Sequence, residues 1–304
     1  MKKLLKYIKQ PLRVIIFLCD KGILHISDEK YLKINYKISF NKKLNLKNPQ
    51  TFNEKLQWLK LYDRKDVYTR MVDKYDAKDY VADLIGLEYI IPTLGIYDNF
   101  EQIDFDKLPN QFVIKVTHYG GSNGVYIVKD KDLMDVSKIK KSINKLLKKN
   151  LYNMGREWPY KNIKPRILIE KYMEDVKTKE LRDYKFFCFN GNVESILVCS
   201  ERNVKLKETF FDLNWKVVPY RRPKKEQDLS IEKPINLNSM IKLANKLSKD
   251  IPFLRVDFYE INGKIYFGEL TFFPASGFVG FEPEEWDLKL GQLIDLSKVG
   301  QNEK

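Results

Sequence analysis

The sequence predicts an α+β fold in which helices and antiparallel strands are mixed along a chain of 304 residues. Two pairs of strand-like runs flank Asn-Gly turns, the strongest short-range hairpin signal. Amphipathic runs at helical spacing lie before and between them. This mixture with prominent hairpins argues against a doubly wound parallel sheet.

The elements follow in chain order. After the break at Asn48-Pro49, Phe52, Leu56, Trp58 and Leu59 recur at helical spacing, predicting a helix over Thr51–Leu61. A second helix is predicted from Tyr68 to Leu84, then a short strand at Tyr89–Ile91 punctuated by Gly86, Pro92 and Gly95. Phe112–Val116 and Val125–Val128 are apolar runs around a glycine-rich loop, and Ile167–Ile169 is a short run ending at Glu170. Ile139–Leu147 and Asn238–Leu247 read as amphipathic helices. The hairpins are Asp183–Phe189 with Asn192–Val198 around Asn190-Gly191, and Phe253–Glu260 with Ile265–Phe272 around Asn262-Gly263.

Size and composition bound what the chain can be. Its length suits two or three domains, and 43% hydrophobic with 32% charged residues describes a folded soluble protein. Three cysteines and two histidines, with no ligand spacing, exclude a zinc site and a disulfide framework, so a cytoplasmic compartment is expected. Residues 1–70 hold 17 Lys/Arg against 6 Asp/Glu and thus carry +11 of the net +14. Such a basic end suits an anionic partner, an acidic glycan, a phospholipid surface or nucleic acid, or is simply a solvated lysine-rich face. Lys2, Lys3, Lys6 and Lys9 precede an apolar stretch, Leu12–Leu24, interrupted by Arg13, Asp20 and Lys21. It is too short to span a bilayer and has no small-residue cleavage site. It is expected to be a helix docked on its own domain, with peripheral contact at the inner face of a membrane as the alternative. Arg221, Arg222, Lys224 and Lys225 beside Pro219 and Pro223 read as a solvated loop.

Two segments carry chemistry. In the first, Lys115 interrupts an otherwise apolar strand just before His118-Tyr-Gly120-Gly121-Ser122-Asn-Gly124. A lysine there is costly to bury unless an anion meets it, and glycines let backbone N–H groups approach phosphate oxygens. The loop opens no helix, so it is neither a P-loop nor a Rossmann turn. It is a flap able to close over a triphosphate, or an ordinary hairpin with a lysine at its edge.

In the second, Arg255 and Asp257 share one strand face, as do Glu269 and Thr271. A two-residue turn at Asn262-Gly263 would pair Asp257 with Gly268. A three-residue loop including Lys264 pairs Asp257 with Glu269 and Arg255 with Thr271, gathering the polar groups on one face, and is preferred. Facing carboxylates require neutralisation, either by a hard cation such as Mg²⁺ or by a salt-bridge network with Arg255.

Together these segments, in order and spacing, resemble the ATP-grasp superfamily. More narrowly, Thr51-Phe-Asn-Glu-Lys-Leu-Gln-Trp58, Asp73-Lys74-Tyr75, Asp183-Tyr-Lys-Phe-Phe-Cys-Phe-Asn-Gly191 and Phe267-Gly-Glu-Leu-Thr271 resemble its TupA-like group, associated with teichuronopeptide and surface-polysaccharide biosynthesis. The resemblance spans roughly Pro49 to Leu296. It implies an ATP-grasp fold with an N-terminal helical or mixed basic domain (1–107), a small β-rich lid (108–172) and a C-terminal antiparallel-sheet domain (173–304).

The resemblance also implies ATP and Mg²⁺ as cofactors. Lys74, Lys115, Gly120, Gly121, Ser122 and Gly124 would meet the phosphates. Glu170, Lys171, Tyr172 and Met173 would form the adenine hinge, and Asp183 would take the ribose. Lys185 and Arg255 would act in catalysis, and Asp257 and Glu269 would hold metal. Thr271 stands where many such enzymes have Asn, and its hydroxyl is a poorer metal ligand. The implied activity is carboxylate–amine ligation through an acylphosphate, on an acidic sugar or amino acid of a surface glycan, with no nucleic-acid partner. The alternatives are a sugar phosphotransferase, a polysaccharide-locus glycosyltransferase and a non-catalytic binder of acidic glycan. Against the glycosyltransferase, Asp104-Phe-Asp106, one Asp-x-Asp of the chain, falls in a polar turn.

Overall fold

A computed structural model describes residues 11–120, 124–177, 181–201, 205–297 and 299. Two antiparallel sheets hold the site. The first has strand order β1-β4-β2-β3, from β1 (Thr93–Tyr97), β2 (Phe112–Val116), β3 (Val125–Val128) and β4 (Ile167–Lys171). The second has order β7-β6-β5-β8-β9, from β5 (Asp183–Phe189), β6 (Asn192–Ser200), β7 (Lys207–Phe211), β8 (Phe253–Ile261) and β9 (Lys264–Thr271).

The helices are α1 (Pro11–Asp20), α2 (Asp28–Phe40), α3 (Phe52–Tyr62), α4 (Asp66–Val72), α5 (Asp76–Ile85), α6 (Val136–Leu147), α7 (Leu237–Leu247) and α8 (Glu285–Gln292). α3 starts where the sequence says it should. Thr51 accepts from the Glu54 amide, and the Glu54 carboxylate accepts from the Thr51 amide, a reciprocal capping box.

Three apolar clusters divide the chain, and they do not follow the expected boundaries. α1 docks on α2 through Ile16, Cys19, Tyr31, Leu32 and Tyr36. The first sheet packs Phe112, Ile114, Val116, Ile167 and Ile169 against Ile143 and Leu146 of α6. Its edge strand β1 precedes the 107/108 boundary. The largest cluster joins α3–α5 to the second sheet. There Phe52 of α3 meets Phe253 edge-on at 4.9 Å, and Phe253 meets Phe189 at 5.1 Å. The docked α1 agrees with the expectation for the basic end, though Lys2, Lys3, Lys6 and Lys9 lie outside the described residues. No described helix is long and apolar enough to cross a membrane.

Three details differ from expectation, each for a local reason. The helix expected over Tyr68–Leu84 is two helices, α4 and α5. Asp73 breaks it: its Oδ1 accepts from the amides of Tyr75 (2.8 Å) and Asp76 (3.0 Å), competing with the helical ladder. The strand expected at Tyr89–Ile91 is a single helical turn at Leu87–Tyr89, and the ladder starts after Pro92, which has no N–H to donate.

The third concerns β8 and β9. Arg255 does pair with Thr271 and Asp257 with Glu269, but the connecting turn has two residues, not three. Asn262 and Gly263 both have positive φ (51° and 73°), as a tight hairpin turn demands. The register is instead shifted by a bulge at Gly268, since Asp257 pairs Glu269 while Phe258 pairs Phe267. A Cβ at 268 would lie 3.0 Å from the Asp257 carbonyl oxygen and 3.2 Å from the Tyr259 ring. Gly268→Val should therefore cost about 1–3 kcal/mol of stability by overpacking, read by urea denaturation. An unchanged midpoint would show that the bulge has room to spare.

Candidate active site

Side chains alternate along strands, so burying Ile114 and Val116 beneath α6 turns Lys115 to the opposite face of β2. Burying Ile167 and Ile169 does the same for Glu170 on β4. Lys115 and Glu170 therefore meet directly in a salt bridge. Lys78 of α5 closes on the same carboxylate at 2.5 Å and also donates to the Ile91 carbonyl at 2.6 Å. Burial alone would raise the Glu170 carboxyl, but the ammonium groups of Lys115 and Lys78 hold it below its ordinary value.

Lys74 sits in the break that Asp73 creates between α4 and α5. Its Nζ donates to the Tyr119 carbonyl at 2.6 Å, tying it to the base of the glycine loop. Burial pushes Lys74 below the usual lysine value, Glu269 pulls it back and Lys115 pushes it down again. Lys74 thus feels charge from both the first sheet and the second. A narrow cleft lined by Lys74, Lys78, Lys115, Glu170, Ile90, Ile91, Phe267 and Gly268 runs between the two. Gly120 and Gly124 flank the loop tip, while Gly121 and Ser122 lie outside the described residues. At the end of β4, Lys171 is exposed and the Tyr172 hydroxyl donates to Glu174 at 2.9 Å. Met173 follows, half-buried.

On the second sheet, Arg255 donates to both Asp257 oxygens at 2.7 Å and to Glu269 Oε1 at 2.5 Å. Lys185 of β5 pairs in register with Asp257, forms a salt bridge with it, and reaches Asp183 at 3.2 Å. Burial opposes ionisation of Glu269, yet Arg255, with Lys185 and Lys74 beyond it, holds its pKa down to about 2. Burial likewise disfavours charge on Lys185, but Asp183 and Asp257 outweigh it and raise its pKa. Asp183, expected at a ribose, is buried and paired to Lys185. The salt-bridge alternative for the carboxylates is present in full.

The same residues also suit a hard cation. Asp257 and Glu269 offer oxygen donors at paired positions on adjacent strands, and the Glu269 side chain is 35% exposed. Two carboxylates suffice for Mg²⁺ when phosphate oxygens and water complete its shell. Among the described residues, no group of three or more His, Cys, Asp or Glu side chains is arranged to hold a metal by itself. The Thr271 hydroxyl lies 3.3 Å from Glu269 Oε1.

Sequence reasoning missed Lys78, four residues beyond Lys74 and buried with Ala77 and Val81 on the inner side of α5. It also missed a polar stripe in α3, where Asn53, Gln57 and Lys60 are all fully buried at spacings of four and three. One correction concerns the basic run at 221–225. Arg222 is buried, donates to the Val279 carbonyl at 2.9 Å and lies 4.3 Å over the Phe281 ring, so this part of the run is structural and not a solvated loop.

Comparison with known proteins adds the following. The profile of the TupA-like ATP-grasp family matches residues 54–295. The D-alanine–D-alanine ligase of Helicobacter pylori (strain P12) is 26% identical over 212 residues, covering 67% of this chain and 52% of that protein. The chain thus spans about half the length of this curated relative. Among solved structures, D-alanine–D-alanine ligase from Helicobacter pylori is similar with a TM-score of 0.40 and 16% identity, covering 80% of this chain and 69% of that one. An ADP complex of PurK, N5-carboxyaminoimidazole ribonucleotide synthetase, has a TM-score of 0.41 and 14% identity, covering 81% and 57%.

The Glu170 cluster makes a direct prediction. Glu170→Gln leaves two adjacent buried ammonium groups without their counter-charge, a situation that costs about 3–5 kcal/mol. Chemical denaturation should show a loss of that order. A loss under about 1 kcal/mol would mean that the lysines find other partners.

Proposed function

Because the chain belongs to the TupA-like ATP-grasp family, we propose that it is an ATP- and Mg²⁺-dependent carboxylate–amine ligase acting in bacterial surface-polysaccharide biosynthesis. The observation that carries this reading is the cleft between the two sheets, lined by Lys74, Lys78, Lys115 and Glu170 on one side and by Phe267 and Gly268, next to Glu269, on the other. A cleft rich in lysine between two sheets is a site for a polyanion.

The roles follow from the positions. Lys74 and Lys115, with the backbone of Gly120, Gly121, Ser122 and Gly124, would hold the nucleotide phosphates. Lys78 and Glu170 fix the geometry of Lys115, and the strand end at Lys171, Tyr172 and Met173 would receive adenine through its backbone. Mg²⁺ held by Asp257 and Glu269 would offset phosphate charge and bridge to the nucleotide. A substrate carboxylate oxygen attacks the γ-phosphorus, the bond to ADP breaks, and an acylphosphate results. Lys115, Lys185 and Arg255 offset the charge that accumulates on the transferred group. An amine then displaces phosphate to give the amide. The carboxylate would be a uronic acid or amino acid on a capsule or wall polymer. The basic N-terminal region would hold that acidic polymer, and it would also suit the anionic inner face of a membrane.

ADP release measured against a panel of uronic and amino acids tests this reading. Turnover should require Mg²⁺, disappear with EDTA and return when Mg²⁺ is restored. Lys115→Ala and Glu269→Ala should each lower turnover by about 10²-fold or more while the variants remain folded. Full activity in either variant would refute the assignment. A stable phosphorylated sugar, in place of ADP with free phosphate, would replace ligation by phosphotransfer.

A further inference from the structure

The back of the first sheet carries a charge that the cleft does not use. Residues 136–156 contain seven Lys/Arg and no Asp/Glu. Most of that charge lies on or just after α6, whose Ile143 and Leu146 are buried against the sheet. Two of the lysines are occupied. Lys140 pairs with Glu101 at 3.0 Å, and Lys149 lies 5.5 Å over the Tyr119 ring. Lys138, Lys141, Lys145 and Lys148 are all exposed, and among the described residues none of the four has a carboxylate partner.

Spacings of three, four and three residues put these four lysines in a row along one side of the helix. Lys148 is the C-cap, with φ −82° and ψ −4°, so it keeps its place in the row. Local physics does not favour such a row. Lys141 and Lys145 repel at i,i+4, and the pairs Lys138–Lys141 and Lys145–Lys148 repel at i,i+3. Lys138 also stands in the first turn, at the end of the helix dipole that disfavours cations. A face that served solubility alone would intersperse acidic residues among the lysines. Here the repulsion is unrelieved, and an anion laid along the helix would relieve every pair at once.

The row also leads somewhere. At its C-terminal end, His118 at the base of the glycine loop donates from Nε2 to the Lys149 carbonyl at 3.0 Å. The chain then docks on α2. The Tyr152 hydroxyl donates to Asp28 at 2.5 Å, and Arg156 lies 4.4 Å over the Tyr31 ring. The four cations therefore run toward the loop and toward the basic N-terminal part of the chain.

Charge spacing and face composition select the partner. The row spans about 15 Å at 1.5 Å per residue, or one cation per about 5 Å. Nucleic acid is charged more densely, with a phosphate about every 3.4 Å of each strand. A polyuronate, with one carboxylate per sugar ring, is sparser. A helix lying on a membrane turns an apolar face to the lipid, whereas α6 has buried its apolar face on the sheet. From Lys138 to Lys148 the exposed residues are these four lysines, with nothing apolar to insert.

We infer that this face of α6 is a docking surface for a linear polyanion of low charge density, an acidic polysaccharide such as a polyuronate. The inference rests on the ligase reading for the polymer's role as substrate, and on α6 alone for its capture. The polymer lies along α6 while its reacting end enters the cleft.

Fluorescence anisotropy tests this with the full-length chain and a labelled oligogalacturonate long enough to cover the row. Replacing all four lysines by glutamine (K138Q, K141Q, K145Q and K148Q together) should weaken binding by about 10-fold or more at low salt and flatten its salt dependence. Replacing the same four by arginine should leave binding as in wild type. None of the four lines the cleft, so ADP release with monomeric uronates should be unchanged in both variants. Wild-type affinity in the glutamine variant would overturn the docking surface, and so would failure of the wild type to bind the oligomer. Tighter binding of oligothymidylate of equal length would overturn the glycan in favour of nucleic acid. Capture on phosphatidylglycerol vesicles, lost in the glutamine variant, would overturn it in favour of a membrane. An absence of ADP release with every monomer would sink the ligase reading alone, because oligomer binding is measured without ATP.

Discussion

A buried charge is tolerable only where an opposite charge or a set of hydrogen bonds meets it, and this constraint organises the cleft. Lys115, Lys78 and Glu170 form one balanced cluster on the first sheet. Lys185, Arg255, Asp183, Asp257 and Glu269 form another on the second. Each is built by strand alternation, in which the apolar side chains fill the core and the intervening charged ones are forced onto a single opposite face. The sheets need no shared strand to act together. Lys74, set between two helices by the Asp73 turn, lines the cleft between the sheets with Lys115 and Glu170.

On the proposed roles, that arrangement would keep phosphate binding from being costly. Lys115, Lys185 and Arg255 already have carboxylate partners, so an incoming phosphate exchanges one anionic partner for another and buries no fresh cation. The carboxylates released in that exchange are Glu170, Asp257 and Glu269. The last two are those that oxygen chemistry suits to Mg²⁺. Phosphate and metal would therefore enter as a matched pair, each taking up the partner that the other releases. On the proposed roles, metal dependence would follow from this charge balance as much as from coordination chemistry.

Much of this was legible in sequence, although not always for the right reason. Alternation alone placed Arg255 with Asp257 and Glu269 with Thr271. Their pairing was argued from a longer turn, whereas the actual cause is a bulge at Gly268 with an ordinary two-residue turn. The two solutions give the same register, and hydrophobic pattern cannot separate them. The break at Asp73 was hidden because both flanking segments are helical, and only the side chain's capture of two amides interrupts them. Lys60 was hidden for a different reason. A lysine on an amphipathic helix is ordinarily solvated, and nothing local shows that carbonyls from Gly155 and Ser276, 95 and 216 residues away, converge on it.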